Sequence, residues 1–197
     1  VGISGAMGLF AATGQETHAS APPGGAAGSY KKSGSEHGAA AIGSVFLEGT
    51  FQDRFLVGID YVPSALETDS VESRRADKTT SSTAVSVENK VQIDFEDLTT
   101  LYLGINVTDN AYIKAGIMTV DVITNESLGT GSSYGDTSLD GTMVGIGYNK
   151  TIDNGIFVRV EGNYMQFDGT SLTSNEMTVK LNSLDGVTGK FSIGKSF

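Results

Sequence analysis

Apolar residues alternate with polar or small ones, at a period of two, along most of this 197-residue chain, and that period admits strands and little else. From Val1 to Phe10, Val1, Ile3, Met7 and Leu9 share one parity while Gly2, Ser4, Ala6 and Gly8 share the other. Val45, Leu47 and Phe51 alternate with Ser44, Glu48 and Thr50, and Phe55, Val57, Ile59 and Tyr61 with Leu56, Gly58 and Asp60. Farther on, Val144, Ile146 and Tyr148 oppose Gly145, Gly147 and Asn149, and Ile156, Val158, Val160 and Tyr164 oppose Phe157, Arg159, Glu161 and Asn163. Two stretches keep one parity for longer than a globular strand does. Val85, Val87, Val91, Ile93, Phe95, Leu101, Leu103, Ile105 and Val107 form the first, which predicts a single register with Asp97 and Thr99 marking where the strand leaves an apolar layer. Val179, Leu181, Val187, Phe191, Ile193 and Phe197 form the second. Between Ala111 and Val122 the apolar parity changes, and a β-bulge near Met118 is predicted to reconcile the halves.

Composition narrows the class. Apolar residues make up 39% of the chain, yet no run approaches the roughly 18 residues of a membrane-spanning helix, so a helical membrane protein is excluded. The 26 Gly are scattered through apolar stretches and Pro is scarce at 3, which suits strands that curve and pack closely. The absence of Cys excludes a disulfide framework, a thiolate metal site and a thiol nucleophile. A net charge of −10 with 13 dispersed Lys and Arg argues against a nucleic-acid partner. No cationic segment followed by an apolar one opens the chain, so a mature chain whose export signal has been removed is expected.

The connections separate a membrane barrel from a soluble sandwich. Gln52 to Arg54, Thr108 to Asn110 and Asp153 to Gly155 are tight turns, whereas Gln15 to Ala40, Ser64 to Thr83, Asn125 to Leu139 and the shorter Thr170 to Asn175 are polar loops. Short and long connections alternate, as periplasmic turns and extracellular loops do in outer-membrane barrels. The expectation is one all-β domain over residues 1–197, a transmembrane antiparallel up-and-down β-barrel of about eight strands. Phe51, Phe55, Tyr112, Tyr148, Phe157 and Phe197 cluster at the short-turn end as an interfacial girdle, although parity puts Tyr112 and Phe157 on the inward side. A soluble secreted sandwich is the alternative that alternation alone allows. In a sandwich, however, Glu48, Asp60, Arg159 and Glu161 would face water, and small residues would not be their main companions.

Inside such a barrel the inward parity carries Glu48, Asp60, Lys114, Arg159, Glu161 and Lys190. Eight strands leave an interior only just wide enough for side chains, so charges of both signs there are expected to pair and plug the lumen. The alternative is a narrow porin-like channel for ions or small solutes. No catalytic residue is expected: His18 and His37 both fall in the first long loop and read as solvated, and no strand supplies a base beside a nucleophile. No cofactor or metal is expected either. Glu67, Asp69 and Glu72 match no Ca²⁺-loop spacing, and Lys31, Lys32, Arg74, Arg75 and Lys78 read as exposed loop charges. Gly24-Gly25 and Gly129-Thr130-Gly131 read as flexible loop, because no helix follows to cradle a phosphate.

The chain ends Lys190-Phe191-Ser192-Ile193-Gly194-Lys195-Ser196-Phe197, an alternating strand that stops on Phe. With the whole-chain pattern, this end resembles the small eight-stranded outer-membrane proteins typified by OmpX, the OmpA transmembrane domain and the opacity-like family. The resemblance implies the outer membrane of a Gram-negative bacterium, contact with lipid and lipopolysaccharide, and Phe191, Ile193 and Phe197 as the signal read by the barrel-assembly machinery. Lys195 stands where that signal usually has a hydrophobic residue. It also implies a structural or surface-interaction role, adhesion- or receptor-like, with any extracellular partner reached through the long loops.

Overall fold

The alternating segments form ten strands in a computed structural model that describes residues 1–18, 30–67, 71–78, 84–128, 133–174 and 177–197. They are β1 (Gly2–His18), β2 (Tyr30–Phe51), β3 (Phe55–Glu67), β4 (Val71–Lys78), β5 (Ala84–Asn106), β6 (Ala111–Leu128), β7 (Thr137–Thr151), β8 (Ile156–Phe167), β9 (Thr170–Ser174) and β10 (Met177–Lys195). Eight of them follow one another around an antiparallel ring, β1-β2-β3-β5-β6-β7-β8-β10, which the pairing of β10 with β1 closes. The short strands β4 and β9 add to β5 and β10 outside that ring order.

The tight turns have the backbone that hairpins demand. Gln52 and Asp53 have φ of 51° and 53°, and the Arg54 N–H donates to the Phe51 carbonyl at 3.1 Å, so both central residues are left-handed as in a type I′ turn. Asn154 and Gly155, at 54° and 76°, do the same between Asp153 and Ile156. The turn between β5 and β6 is instead held by its own side chain: Thr108 Oγ1 accepts from the Ala111 N–H at 2.9 Å. Neighbouring turns are stitched together, Asn106 Nδ2 donating to the Asp53 carbonyl at 3.0 Å and Asn110 Nδ2 to the Asn149 carbonyl at 2.9 Å.

The barrel is inverted relative to a soluble protein. Ile3, Leu47, Leu103, Ile117 and Ile146 are each more than 60% exposed on the outer wall, while Arg159, Glu161 and Lys114 are buried inside. A soluble sandwich buries its apolar rows, so the closed ring and its exposed apolar band replace that alternative with a membrane-spanning barrel. Phe51, Phe55, Tyr148 and Phe197 are exposed near the short-turn rim, but Tyr112 and Phe157 point into the lumen and leave the girdle incomplete. At the other boundary, Tyr61 and Tyr164 hydrogen-bond Asp97 and Asp185.

Two predicted registers break. In β5, Glu96 pairs with Asp121 and Thr99 with Thr119, so Asp97 and Leu98 face the single residue Val120. Asp97 takes φ of 52° there. This bulge turns β5 over: Leu101 and Leu103 face outward, Leu98 is buried, and Ile93 and Phe95, of the same parity as Leu101, pack into the interior. A second irregularity leaves Asn182 without a counterpart on β1, and Leu181 packs inward although Val187 faces out. No register shift lies at Met118. Its strand pairs continuously with β7, and Met118, Val120 and Val122 are inward apolar residues.

The long connections are shorter than predicted, because residues 15–18, 30–40, 71–78, 125–128, 137–139 and 170–174 are strand. Crossing hydrocarbon takes about nine to eleven tilted residues. The 12 residues of β8 suffice, whereas β2 with 22 and β5 with 23 rise well beyond. Gly24, Gly25, Asp69, Gly129, Thr130 and Gly131 lie outside the described residues, and of Glu67, Glu72, Arg74, Arg75 and Lys78 only the backbone is described.

A closed ring of this kind is expected to stay folded in detergent until it is boiled. Detergent-extracted protein is expected to run faster on a gel unheated than heated; a single mobility, with solubility in plain buffer, would rule the barrel out.

Candidate functional site

The lumen gathers the six charged side chains expected at its inner face. Glu48 comes from β2, Asp60 from β3, Lys114 from β6, Arg159 and Glu161 from β8 and Lys190 from β10, so three carboxylates meet three cations. Arg159 grips Glu48 with both guanidinium nitrogens, Nη2 to Oε1 at 2.6 Å and Nη1 to Oε2 at 3.0 Å. Lys114 Nζ lies 2.6 Å from Glu161 Oε1, and Lys190 Nζ donates to Asp60 Oδ2. Two tyrosines complete the carboxylates: Tyr102 donates to Glu48 Oε2 at 2.8 Å, and Tyr112 donates to Glu161. Since β2 and β8 are separated by β10 and β1 in the ring, the Arg159–Glu48 fork braces the lumen across its width rather than along the wall.

Aromatic rings fill the space around these charges. The Arg159 guanidinium sits over Phe46, Tyr112 and Phe157 at 5.2, 5.1 and 5.3 Å from their centroids, and Lys114 Nζ lies 4.8 Å from the centre of Tyr102. Such cation–π contacts strengthen when water is excluded. Each ring needs a missing side chain beside it. Gly2 pairs directly with Phe46, Gly58 with Tyr102, Gly147 with Tyr112 and Gly194 with Phe157. A Cβ at any of these glycines would overlap the ring across from it. The sequence reading turned Tyr112 and Phe157 inward but missed what these aromatics pack against and the reason for the abundant Gly. The signal is a Gly opposite an aromatic, and it appears only once strand pairing is known.

Above the charged layer the lumen is apolar, which the sequence reading also missed. Val62, Leu98, Met118, Leu139, Phe167 and Leu184 are each at most 9% exposed and belong to one cluster.

Glu48, Asp60 and Glu161 each hold a cation, an arrangement that braces the wall and offers little chemistry. No group of three or more His, Asp or Glu among the described residues is placed to hold a metal ion. His37 is exposed on β2 opposite Ala11, and the backbone of His18 pairs with Tyr30. Phe191 and Ile193 lie on the lipid-facing side of β10, and Phe197 follows its end fully exposed.

Removing one member of a buried pair strands its partner. Glu161→Gln is expected to cost about 3–5 kcal/mol of stability in urea unfolding from lipid vesicles, while Lys114→Met with Glu161→Leu recovers most of it. Equal losses in the single and double variants would mean the pair itself is the source of stability. Gly147→Ile, which collides with Tyr112, is expected to abolish the heat-dependent gel shift.

Neither a protein-family model nor a curated protein sequence matches the chain. Among solved structures, it is similar to the outer membrane protease OmpT from Escherichia coli, at 9% identity and a TM-score of 0.45 over 99% of this chain and 97% of that one. The attachment invasion locus protein Ail of Yersinia pestis matches at 10% identity and a TM-score of 0.35 over 97% and 98%. The outer membrane protein OprG from Pseudomonas aeruginosa matches at 14% identity and a TM-score of 0.38 over 98% and 96%. Likenesses this distant carry no function; the barrel rests on its own ring closure and apolar outer wall.

Proposed function

We propose that this chain is an integral outer-membrane barrel with a closed lumen, serving as a structural or surface-interaction protein whose working surface is the set of strands rising beyond the membrane. The observation that carries the reading is strand length. β2 and β5 have 22 and 23 residues where about nine to eleven would cross the bilayer, and Lys31 to Ala39 on β2 are exposed on both faces. A strand that served only as an anchor would have no use for that extension.

The extension also offers backbone. β2 pairs with β1 along its whole projecting part, but its pairing with β3 begins at Val45. Among the described residues the other edge from Lys31 to Ser44 therefore keeps its N–H and C=O groups open, and an extended segment of a partner can add there as a strand. Around the band itself the partners are outer-membrane lipid and lipopolysaccharide, and during insertion the assembly machinery reads Phe191, Ile193 and Phe197.

Joining Phe10 to Gly38, which face each other in the ladder, through an Asn-Gly turn removes nearly all of the exposed extension of this hairpin without touching the band. Bacteria displaying the shortened protein are expected to lose adherence while the protein keeps its heat-dependent gel shift; unchanged adherence would refute the surface role. In planar bilayers the wild-type protein is expected to give only rare, small openings. Steady conductance would instead favour a narrow channel with Glu48, Arg159 and Glu161 as its selectivity site.

A further inference from the structure

The lumen is closed twice, by two layers of opposite chemistry, and the layers are not equivalent barriers. The layer near the short turns holds the ion pairs, in which long flexible side chains end in charges of both signs. An ion entering it meets ligands of either sign and can exchange places with them. The layer above it is contributed by all eight strands of the ring, with Phe10 from β1, Ala40 from β2, Val62 from β3, Leu98 from β5, Leu139 from β7 and Leu184 from β10 among its members. It offers an ion no ligand at all. Apolar constrictions of this kind close pores by excluding water, because a bare charge in such surroundings is prohibitively costly.

Where the layers meet lies a cavity of about 30 Å³, bounded by Val62, Leu98 and Met143 on the apolar side and by Lys114, Asn163 and Lys190 on the polar side. That exceeds the roughly 10–15 Å³ one water requires. Asn163 is 7% exposed, its Nδ2 donates to Thr188 Oγ1 at 3.3 Å, and its Oδ1 has no donor from the protein. A buried water needs two or more polar partners, and Asn163 lines this cavity together with Thr100, Thr188 and Lys190.

We infer that this cavity is a hydrated chamber, with water bound to Asn163 Oδ1, and that the apolar layer above it, not the ion-pair layer, keeps the lumen from conducting. The inference rests on the closed-lumen reading and assigns the closure to particular residues. The chamber makes the polar layer continuous with water up to Met143 and Leu139, where the wetted path stops.

Three proteins in planar bilayers test it: wild type, Leu139→Ser with Met143→Ser, and Asp60→Asn with Lys190→Gln, which neutralises one ion pair without stranding a charge. The apolar-layer variant is expected to conduct steadily, at about tenfold or more above any wild-type opening, and the pair-neutral variant to stay as closed as wild type. Conduction by the pair-neutral variant, or a closed apolar-layer variant that retains its heat-dependent gel shift, would overturn the inference. Should the double serine variant lose that shift, Met143→Ser alone, at the cavity wall, is read by the same criteria. Steady conductance by wild type sinks the closed-lumen reading itself, which keeps the two failures distinct.

Discussion

Hydrocarbon offers a strand nothing to bond with, and each unpaired backbone group there costs several kcal/mol. The pairing of β10 with β1, unbroken from Gly2 against Gly194 to Thr13 against Ser183, removes the two edges that an open eight-stranded sheet would expose. Much of the rest follows from that closure. Once the ring is shut, side chains on one parity face lipid and must be apolar, while those on the other face a narrow interior that has to be filled. The rim follows too, for the Val1 nitrogen and the Lys195 carbonyl meet at 3.1 Å where the first and last strands join.

Filling the interior sets two separate problems, and the chain solves each locally. Aromatic rings are too wide for eight strands unless the wall recedes, and it recedes at Gly2, Gly58, Gly147 and Gly194, each directly across the ladder from the ring it accommodates. Charges are too costly unless matched, and three carboxylates meet three cations in pairs that bridge strands not adjacent in the ring. The two solutions are joined, because the rings of Tyr102 and Tyr112 lie under cations while their hydroxyls complete the carboxylates. A structural network of this density favours one barrel over other registers, since a slip of one residue would turn every charge outward into lipid.

The bulge at Asp97 and Leu98 marks the division between anchor and projection. Below it β5 presents Leu101 and Leu103 to lipid; above it the strand has turned over, and Phe95 and Ile93 add to the inner apolar layer. Asp97 and the Tyr61 hydroxyl meet on the outer wall at this level, a polar pair of the sort that suits a membrane boundary. The same chain thus changes from a lipid-facing wall to a water-exposed sheet without ending a strand.

Sequence alone determined the strand class, the alternation of short turns with long connections and the inward parity of Glu48, Asp60, Lys114, Arg159, Glu161 and Lys190, because each depends only on a period of two and on local turn chemistry such as Asn154-Gly155. It misread the faces of Ile93, Phe95 and Leu181, since parity cannot register a bulge that inserts one residue against the partner strand. It placed a bulge at Met118 because an inward apolar residue and an outward one look the same in sequence. Which carboxylate meets which cation, which Gly faces which ring and where the apolar layer crosses the lumen were decided by tertiary structure alone. Those relations join residues far apart in the chain, from Tyr112 and Gly147 on neighbouring strands to Glu48 and Arg159 across the ring, and they exist only after the ring has closed and its register has brought the strands side by side.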